Sequence, residues 1–263
     1  MMQTDFILLG SSAGPGVPSF FCDCVGCQEA RNNSRFSRTR SGAFIDAGED
    51  KILIDASPDL RLQLLRENIT RVDCVFLTHW HYDHFGGLGE LEYYVKLGRD
   101  KPVPIFLPPS AVNQFTNAFP NLADVLTVTP WEFHRQHCLN GVQITPLPAN
   151  HGIETAGFLV ESGGARLAYF PDTAGMPVSS VGKIAAVDWL VCDATFRGDN
   201  WLPHAHMSID QAIALGRQVG AKNTVLTHLA IHYSQPVTTE QLAAEVADFE
   251  GVTIAYDGMR IKL

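Results

Sequence analysis

The sequence predicts an α/β protein. Short apolar, β-branched runs recur along the chain, at Val72–Leu77, Val142–Leu147, Ala165–Phe170, Asp188–Cys192 and Thr224–Thr227, and each is too short for a buried helix. Longer segments of helical periodicity separate several of them, as expected when crossover helices cover a sheet. Metal-competent side chains follow the ends of four of these runs: His79 to His84 as a cluster, His151, Asp172 and His228. Ligand groups of open α/β sheets gather at such strand ends.

The first elements alternate strand and turn. Asp5–Gly10 reads as a strand that runs into a Gly/Pro/Ser loop over residues 11–18. That loop lacks the Lys-Ser/Thr ending of a P-loop, and its Gly10, Gly14 and Gly16 do not fit G-x-G-x-x-G, so it is not a nucleotide cradle. Two further strands are expected at Gly42–Asp46 and Lys51–Asp55. Ser57 is then a candidate helix cap with Pro58 at the first helical position, and Leu60, Leu62, Leu64 and Leu65 supply the apolar face. Phe85–Lys96 and Ser110–Phe119 read as helices around a strand at Val103–Leu107, while residues 120–140 carry no clear period. Val142–Leu147, Ala156–Glu161 and Ala165–Phe170 suggest a second sheet. Helices capped by Ser208 and beginning at Thr238 follow, and Val252–Ile254 and Met259–Leu263 end the chain as strands.

At 263 residues, 46% hydrophobic and 18% charged, with a net charge of −9, the chain has the composition of an ordinary globular protein. Ligand candidates spread from His79 to His228 favour one domain over residues 1–263. The acidic balance argues against nucleic acid, whose nonspecific binding needs a basic surface, and no apolar run approaches the length of a membrane span. Residues 1–10 show neither a basic n-region nor a cleavage site, so the expected location is the cytoplasm. Homodimerisation is compatible with the sequence.

In that compartment the six cysteines need an account without disulfides. Cys74, Cys138 and Cys192 stand alone in apolar surroundings and read as small buried hydrophobes. Cys22, Cys24 and Cys27 lie within six residues, in a loop at about 19–30, and three thiols at that spacing suggest a structural zinc. His232 is the candidate fourth ligand. Arg31, Arg35, Arg38 and Arg40 form a polar cluster that reads equally as a solvated basic face or as a phosphate-binding group.

The stretch that carries most chemistry is His79-Trp80-His81-Tyr82-Asp83-His84. In an extended loop, residues two apart point the same way, so His79 and His81 can share one cation while Asp83 and His84 turn to another. Three imidazoles and a carboxylate packed this tightly would otherwise leave costly polar groups at a buried edge.

His79-x-His81-x-Asp83-His84 resembles the signature of the metallo-β-lactamase fold superfamily. That resemblance implies a four-layer αββα sandwich and a dinuclear site completed by His151, Asp172 and His228. His79, His81 and His151 would hold one ion, Asp83, His84 and His228 the other, and Asp172 would bridge. Zinc or manganese suits such a donor set. Within the superfamily the chain is similar to PhnP-type phosphodiesterases, which hydrolyse phosphoribosyl 1,2-cyclic phosphate in phosphonate breakdown. Gly14-x-Gly16-Val17-Pro18, Cys22-x-Cys24-x-x-Cys27, Asp172-Thr173-Ala174-Gly175, Leu226-Thr227-His228 and Asp257-Gly258-Met259 carry the likeness. One departure is the four-residue step from His228 to His232, where the family pattern has three. The implied function is a metal-dependent phosphodiesterase acting on a small phosphorylated substrate, with Asp83 and His206 acting in the reaction. His206 would be the general acid, with His204 as its alternative.

Other readings stay open. Asp55-Ala56-Ser57-Pro58-Asp59-Leu60-Arg61 with the cysteine triplet also resembles PqqB-type proteins of quinone-cofactor biosynthesis, in which a full dinuclear site is not typical. Asp193-Ala194-Thr195-Phe196 and His206-Met207-Ser208 resemble tRNA 3′-processing nucleases, although no long Gly/Pro-rich arm lies between Asp172 and His228. A noncatalytic metal carrier is the reading from a different class.

Overall fold

The computed structural model describes residues 4–263, so Met1–Gln3, part of the stretch read for a leader, lie outside the described residues. The strands are β1 (Asp5–Gly10), β2 (Gly42–Ala47), β3 (Asp50–Ile54), β4 (Cys74–Phe76), β5 (Val103–Leu107), β6 (Leu126–Pro130), β7 (His137–Leu139), β8 (Val142–Pro148), β9 (Ala156–Ser162), β10 (Ala165–Phe170), β11 (Trp189–Asp193), β12 (Asn223–Thr227), β13 (Val252–Ile254) and β14 (Arg260–Lys262). The helices are α1 (Val25–Asn32), α2 (Leu60–Arg66), α3 (Tyr82–Phe85), α4 (Leu91–Gly98), α5 (Val112–Ala118), α6 (Val178–Lys183), α7 (Ile209–Val219) and α8 (Thr239–Val246). Two seven-stranded sheets form, in the orders β14-β1-β2-β3-β4-β5-β6 and β13-β12-β11-β10-β9-β8-β7.

The sheets pack face to face. Phe6, Leu8, Ile45, Ile54 and Phe76 of the first meet Ile144, Phe158, Leu167, Tyr169 and Val225 of the second in one buried cluster. The intervening side chains turn the other way: Ile7, Leu9, Leu53 and Val75 pack with Leu60, Leu91 and Phe115 of the helices outside the first sheet. Ala168, Phe170 and Leu226 pack with Ala212, Ile213 and Leu242 outside the second. The result is the αββα sandwich. Both faces of the central strands are buried, so they read as continuous apolar runs and not as alternating ones.

Each sheet has a parallel half. β3 through β6 run parallel in the first, and β10 through β13 in the second. The C-terminal ends of β3, β4, β10, β11 and β12 open toward one edge of the sandwich. The helix expected from its Ser208 cap begins as read, with a reciprocal capping box to Gln211, while Thr238, read as the first residue of a helix reaching Phe249, is the N-cap of α8 in a second capping box with Gln241, and α8 ends at Val246.

Several local expectations are corrected. α2 starts at Leu60 rather than at Pro58; Ser57 Oγ accepts the Asp59 N–H at 3.2 Å, one residue pair ahead of the first helical turn. Its apolar face is narrower than the leucines suggest, because Leu62 and Leu65 are exposed while Gln63 is buried. Gln63 Nε2 donates to the Arg40 carbonyl and Thr39 Oγ1, which gives the amide a core position. The helix expected at Phe85–Lys96 is broken into α3, a 3₁₀ turn at Leu88–Glu90 and α4. Gly87 sits at the break against Ser57, whose carbonyl oxygen would lie 2.0 Å from an added Cβ. Residues 120–140 hold β6 and β7, one edge strand of each sheet. Cys138, on β7, is exposed and is no buried hydrophobe, unlike Cys74 and Cys192. The final strand pairs with β1 and so belongs to the first sheet, while β13 ends the second.

Candidate metal centre

The loop after β4 is fixed from both sheets. Trp131 Nε1 donates to the Leu77 carbonyl at 2.8 Å, Ala156 N of β9 donates to the Thr78 carbonyl at 2.9 Å, and Thr78 N donates to Asp55 Oδ1 at 2.8 Å. The histidines of the loop therefore leave a rigid edge. His79 and His84 are fully buried and His228 nearly so.

Two donor groups result. In the first, His79 Nε2 lies 3.0 Å from His81 Nδ1, His151 Nε2 lies 3.1 Å from the same atom, and Asp172 Oδ2 lies 3.3 Å from His79 Nε2. A tetrahedral cation with bonds of about 2.0–2.1 Å would space its ligands by about 3.3 Å, so the spread suits one ion. In the second, Asp83 Oδ2 lies 3.6 Å from both His84 Nε2 and His228 Nε2. Asp172 Oδ2 is also 3.6 Å from His84 Nε2 and 3.7 Å from His228 Nε2, so one carboxylate oxygen faces both groups.

The donor set fits cations on an independent test. The Nε2 atoms of His84 and His228 and Oδ1 of Asp172 are buried without a hydrogen-bond partner, an arrangement that costs about 1–3 kcal/mol per group unless something binds them.

The outward nitrogens are anchored, which sets which nitrogen faces in. His79 Nδ1 pairs with Thr78 Oγ1 at 2.9 Å, His151 Nδ1 with the Ala205 carbonyl at 2.8 Å, and His228 Nδ1 with Thr195 Oγ1 at 2.9 Å. His84 Nδ1 lies 2.8 Å from Asp55 Oδ2, with both side chains fully buried. Hydrogen bonds of this kind fix the tautomer and orientation of a ligating imidazole. Asp55 and His228 both hold left-handed backbone, at φ 62° and 56°, a conformation that Asp and His adopt more readily than most residues.

Electrostatics follow the same map. Burial pushes His79 down to about 3, with His84 adding to the effect, so its ring is neutral and ligand-competent. Burial pushes Asp172 up, but the imidazoles of His228, His206, His79 and His84 outweigh it and hold the carboxylate well below its ordinary range. Asp83 behaves alike under His84 and His228. Burial lowers His84, yet Asp83, Asp55 and Asp172 together raise it well above the ordinary histidine range.

His206 stands beside the first group. Its Nδ1 is 2.9 Å from Asp193 Oδ2 and 2.9 Å from Asp172 Oδ1, and only the Asp193 contact has hydrogen-bond geometry. Burial pushes the ring down, and the two carboxylates reverse this to about 10. With Nδ1 taken, Nε2 is left for the cavity. His204 is exposed and does not line it. The cavity, about 310 Å³, is lined by His81, Asp83, His151, Asp172, His206 and His228 together with Gly14, Leu202 and Tyr233.

The Arg cluster is largely committed to structure. Arg38 is buried and donates to Ser11 Oγ and the Ala255 carbonyl. Arg40 pairs with Asp59 at 2.9 Å and Arg31 with Asp23 at 3.1 Å. None of the four lines the cavity, which corrects their reading as a phosphate-binding group.

A second donor group lies at the start of α1. The sulfurs of Cys22, Cys24 and Cys27 converge within 4.8 Å of one another. His232 Nδ1 lies 3.9 Å from Cys27 Sγ, and its Nε2 is buried without a partner. The cysteine loop reaches this close because residue 26 is glycine; an added Cβ would meet the Val237 carbonyl oxygen at 2.5 Å. Burial pushes the Cys27 thiol up to about 12, so a thiolate there needs a cation beside it.

The sequence did not single out Asp55, Thr78, Asp193 or Thr195 as site residues, although each orients a ring in the centre. Asp193 is a hub. Its two oxygens accept from Thr195 N, Met207 N and Thr173 N as well as facing His206. Position at the end of β3 or β11 was the available signal for both aspartates.

This fold with paired His/Asp donor groups defines a metal-binding αββα protein. A family described as Beta-lactamase superfamily domain matches residues 50–229, and the chain belongs to it. Among curated relatives, it is 30% identical to coenzyme PQQ synthesis protein B of Methylobacterium radiotolerans over 98% of this chain and 99% of that protein. It is 27% identical to an octanoyltransferase of Porphyromonas gingivalis over 86% of this chain, but spans only 46% of that longer protein. Among solved structures, a diphosphatase from the PhnP family superposes with a TM-score of 0.86 at 25% identity, covering 100% of this chain and 98% of the other. Zinc-bound PqqB from Methylobacterium extorquens superposes with a TM-score of 0.81 at 24% identity, covering 98% and 100%. Divalent metal binding is the property that fold and donor cluster share.

Proposed function

We propose that the chain is a dinuclear metal-dependent phosphodiesterase acting on a small, cyclic phosphodiester. Phosphoribosyl 1,2-cyclic phosphate is the substrate that the motif resemblance picks out. The observation that carries the reading is Asp172 Oδ2, one carboxylate oxygen facing two separate groups of inward-turned imidazoles.

His79, His81 and His151 would hold one ion, Asp83, His84 and His228 the other, with Asp172 shared; zinc or manganese suits the donors. Bound there, two divalent cations would lower the pKa of water and neutralise charge on the phosphoryl group. The chain's own residues do the rest. Asp55, Thr78 and Thr195 hold the rings in register. His206, hydrogen-bonded through Nδ1 to Asp193, would offer the proton of its other ring nitrogen to the leaving alkoxide. Gly14, Leu202 and Tyr233 complete the lining of the cavity. Cys22, Cys24, Cys27 and His232 would hold a structural zinc that ties α1 to the segment after β12, a chemistry suited to a reducing, cytoplasmic setting.

The 30% identity to a PQQ synthesis protein favours a second reading, a cofactor-biosynthesis protein. A complete donor set at both groups weighs toward hydrolysis. Nuclease action on tRNA is disfavoured because the net charge is −9. Among the described residues, no helix is long and apolar enough to cross a membrane. The test is a hydrolysis panel on zinc- and manganese-loaded protein, with phosphoribosyl cyclic phosphate, cyclic nucleotides, bis-p-nitrophenyl phosphate, thioesters and β-lactams. Turnover of phosphodiesters is expected; turnover of thioesters or lactams alone would overturn the reading, and no turnover at all would favour a carrier.

A further inference from the structure

One of the four arginines is only partly committed. Arg38 is 3% exposed, and both of its side-chain hydrogen bonds leave from Nη1, to Ser11 Oγ at 2.9 Å and to the Ala255 carbonyl. Its Nε is buried without a partner. Two carboxylates, Asp257 and Glu29, act on it through space, and each is held elsewhere. Asp257 accepts from Ser11 Oγ and Thr39 and pairs with Arg66 at 3.1 Å, while Glu29 Oε2 accepts from Thr239 N at 2.6 Å. Among the described residues, Arg38 therefore has no ion-pair partner. Burial lowers its guanidinium to about 10, which leaves it charged at neutral pH. A buried charge is costly unless a counter-charge meets it.

The same arginine lines a second cavity, of about 350 Å³, with Arg35, Phe36, Thr239, Ile254 and Tyr256 among its neighbours there. That is the size of a pocket for a small organic molecule, and it shares no lining residue with the cavity at the metal centre. Its ionic groups are both cationic. Arg35 is exposed and, among the described residues, makes no ion pair. Thr239 Oγ1 is buried without a partner, and Thr239 opens α8, so the positive end of that helix adds to the field. Phe36, Ile254 and Tyr256 make the rest of the lining largely apolar.

This combination fits one carboxylate on an apolar body. The Nε–Nη2 edge of a guanidinium carries two parallel N–H groups at the spacing of two carboxylate oxygens, and the Thr239 hydroxyl can add a third bond. A phosphate dianion has more oxygens to satisfy, and the apolar lining would leave some of them unpaired. We infer that this second cavity binds a small organic monocarboxylate, its head group held by Arg38 and Thr239 and its apolar body by Phe36, Ile254 and Tyr256. The site stands whichever reaction the metal centre performs.

The experiment is calorimetry on the zinc-loaded full chain with benzoate, its neutral counterpart benzamide, and phenyl phosphate. Wild type is expected to bind benzoate about 10- to 100-fold more tightly than benzamide, the range for a charge-assisted hydrogen bond, and Arg38→Met to erase that preference. Because Arg38 also braces Ser11 and Ala255, two variants outside that bracing carry the test as well. Thr239→Val keeps the shape and leaves the Thr238 cap in place; it is expected to weaken benzoate about 3- to 10-fold. Arg35→Ala is expected to weaken it about 2- to 5-fold, by an amount that vanishes in about 0.5 M salt. Benzoate binding that all three variants leave unchanged, as for a carboxylate sitting on the zinc ions, overturns the inference. So does equal binding of benzoate and benzamide, or no saturable binding of benzoate. Tighter binding of phenyl phosphate than of benzoate would reject the carboxylate assignment.

Discussion

Asp55 offers the sharpest perturbation, because it touches no substrate and yet orients His84. Three donors converge on its carboxylate: His84 Nδ1 at 2.8 Å, Thr78 N at 2.8 Å, and Thr78 Oγ1 at 3.0 and 3.1 Å. Asp55→Asn keeps the size, and asparagine tolerates the left-handed backbone at φ 62°. The amide has one oxygen where the carboxylate has two. If it faces Thr78, the His84 Nδ1–H meets a donor, and the ring must give up the tautomer that leaves Nε2 free to face Asp83 and Asp172. If it faces His84, the Thr78 N–H is buried without an acceptor, at a cost of about 1–3 kcal/mol. Loss of such an orienting partner weakens metal binding roughly 10- to 100-fold, or about 1.4–2.8 kcal/mol at 1.4 kcal/mol per decade. Zinc affinity by competition with a chromophoric chelator, alongside thermal unfolding of the metal-free variant, separates the two costs. Metal affinity within twofold of wild type, with full phosphodiesterase activity, would refute the orienting role.

Three further outcomes are expected. Asp172→Ala and His79→Ala each reduce bound metal and abolish hydrolysis, by elemental analysis and the assay above; full occupancy with activity in Asp172→Ala would contradict the shared-carboxylate reading. Cys27→Ser lowers the unfolding temperature while kcat of the metal-loaded protein stays near wild type, since a structural zinc contributes folding free energy; free reaction of all three thiols with a thiol reagent in the folded, metal-loaded protein would exclude the site. His206→Ala slows an alkyl phosphodiester by roughly 10²- to 10⁴-fold and one with a nitrophenol leaving group far less, because nitrophenolate departs without a proton. Equal losses on both would mean that His206 does not act as the acid.

The parts of the centre that were legible in the sequence are those whose chemistry is local. His79, His81, Asp83 and His84 share six residues, and His151, Asp172 and His228 each follow an apolar run whose strand character is plain. The αββα layering itself came from resemblance, because strands buried on both faces have no polar period to show which sheet they join. β14 illustrates this: its sequence reads as a strand, but only the pairing of Phe6 with Ile261 places it in the first sheet. β6 and β7 were illegible for the opposite reason, since edge strands with exposed residues such as Thr127, Thr129 and Cys138 bury too little to impose a pattern.

The orienting residues were hidden by distance in the chain. Asp55 meets His84 across 29 positions and Thr195 meets His228 across 33, and nothing near either residue announces the partner. The leucines of α2 misled in the same way: Gln63 outranks Leu62 and Leu65 for the core because its amide satisfies the Arg40 carbonyl, a need that arises only after β1, β2 and α2 have met. Ligands that share one loop can be read from spacing, whereas the residues that orient them are assembled by the strand ends, which is why the donors were visible before the partners that hold them.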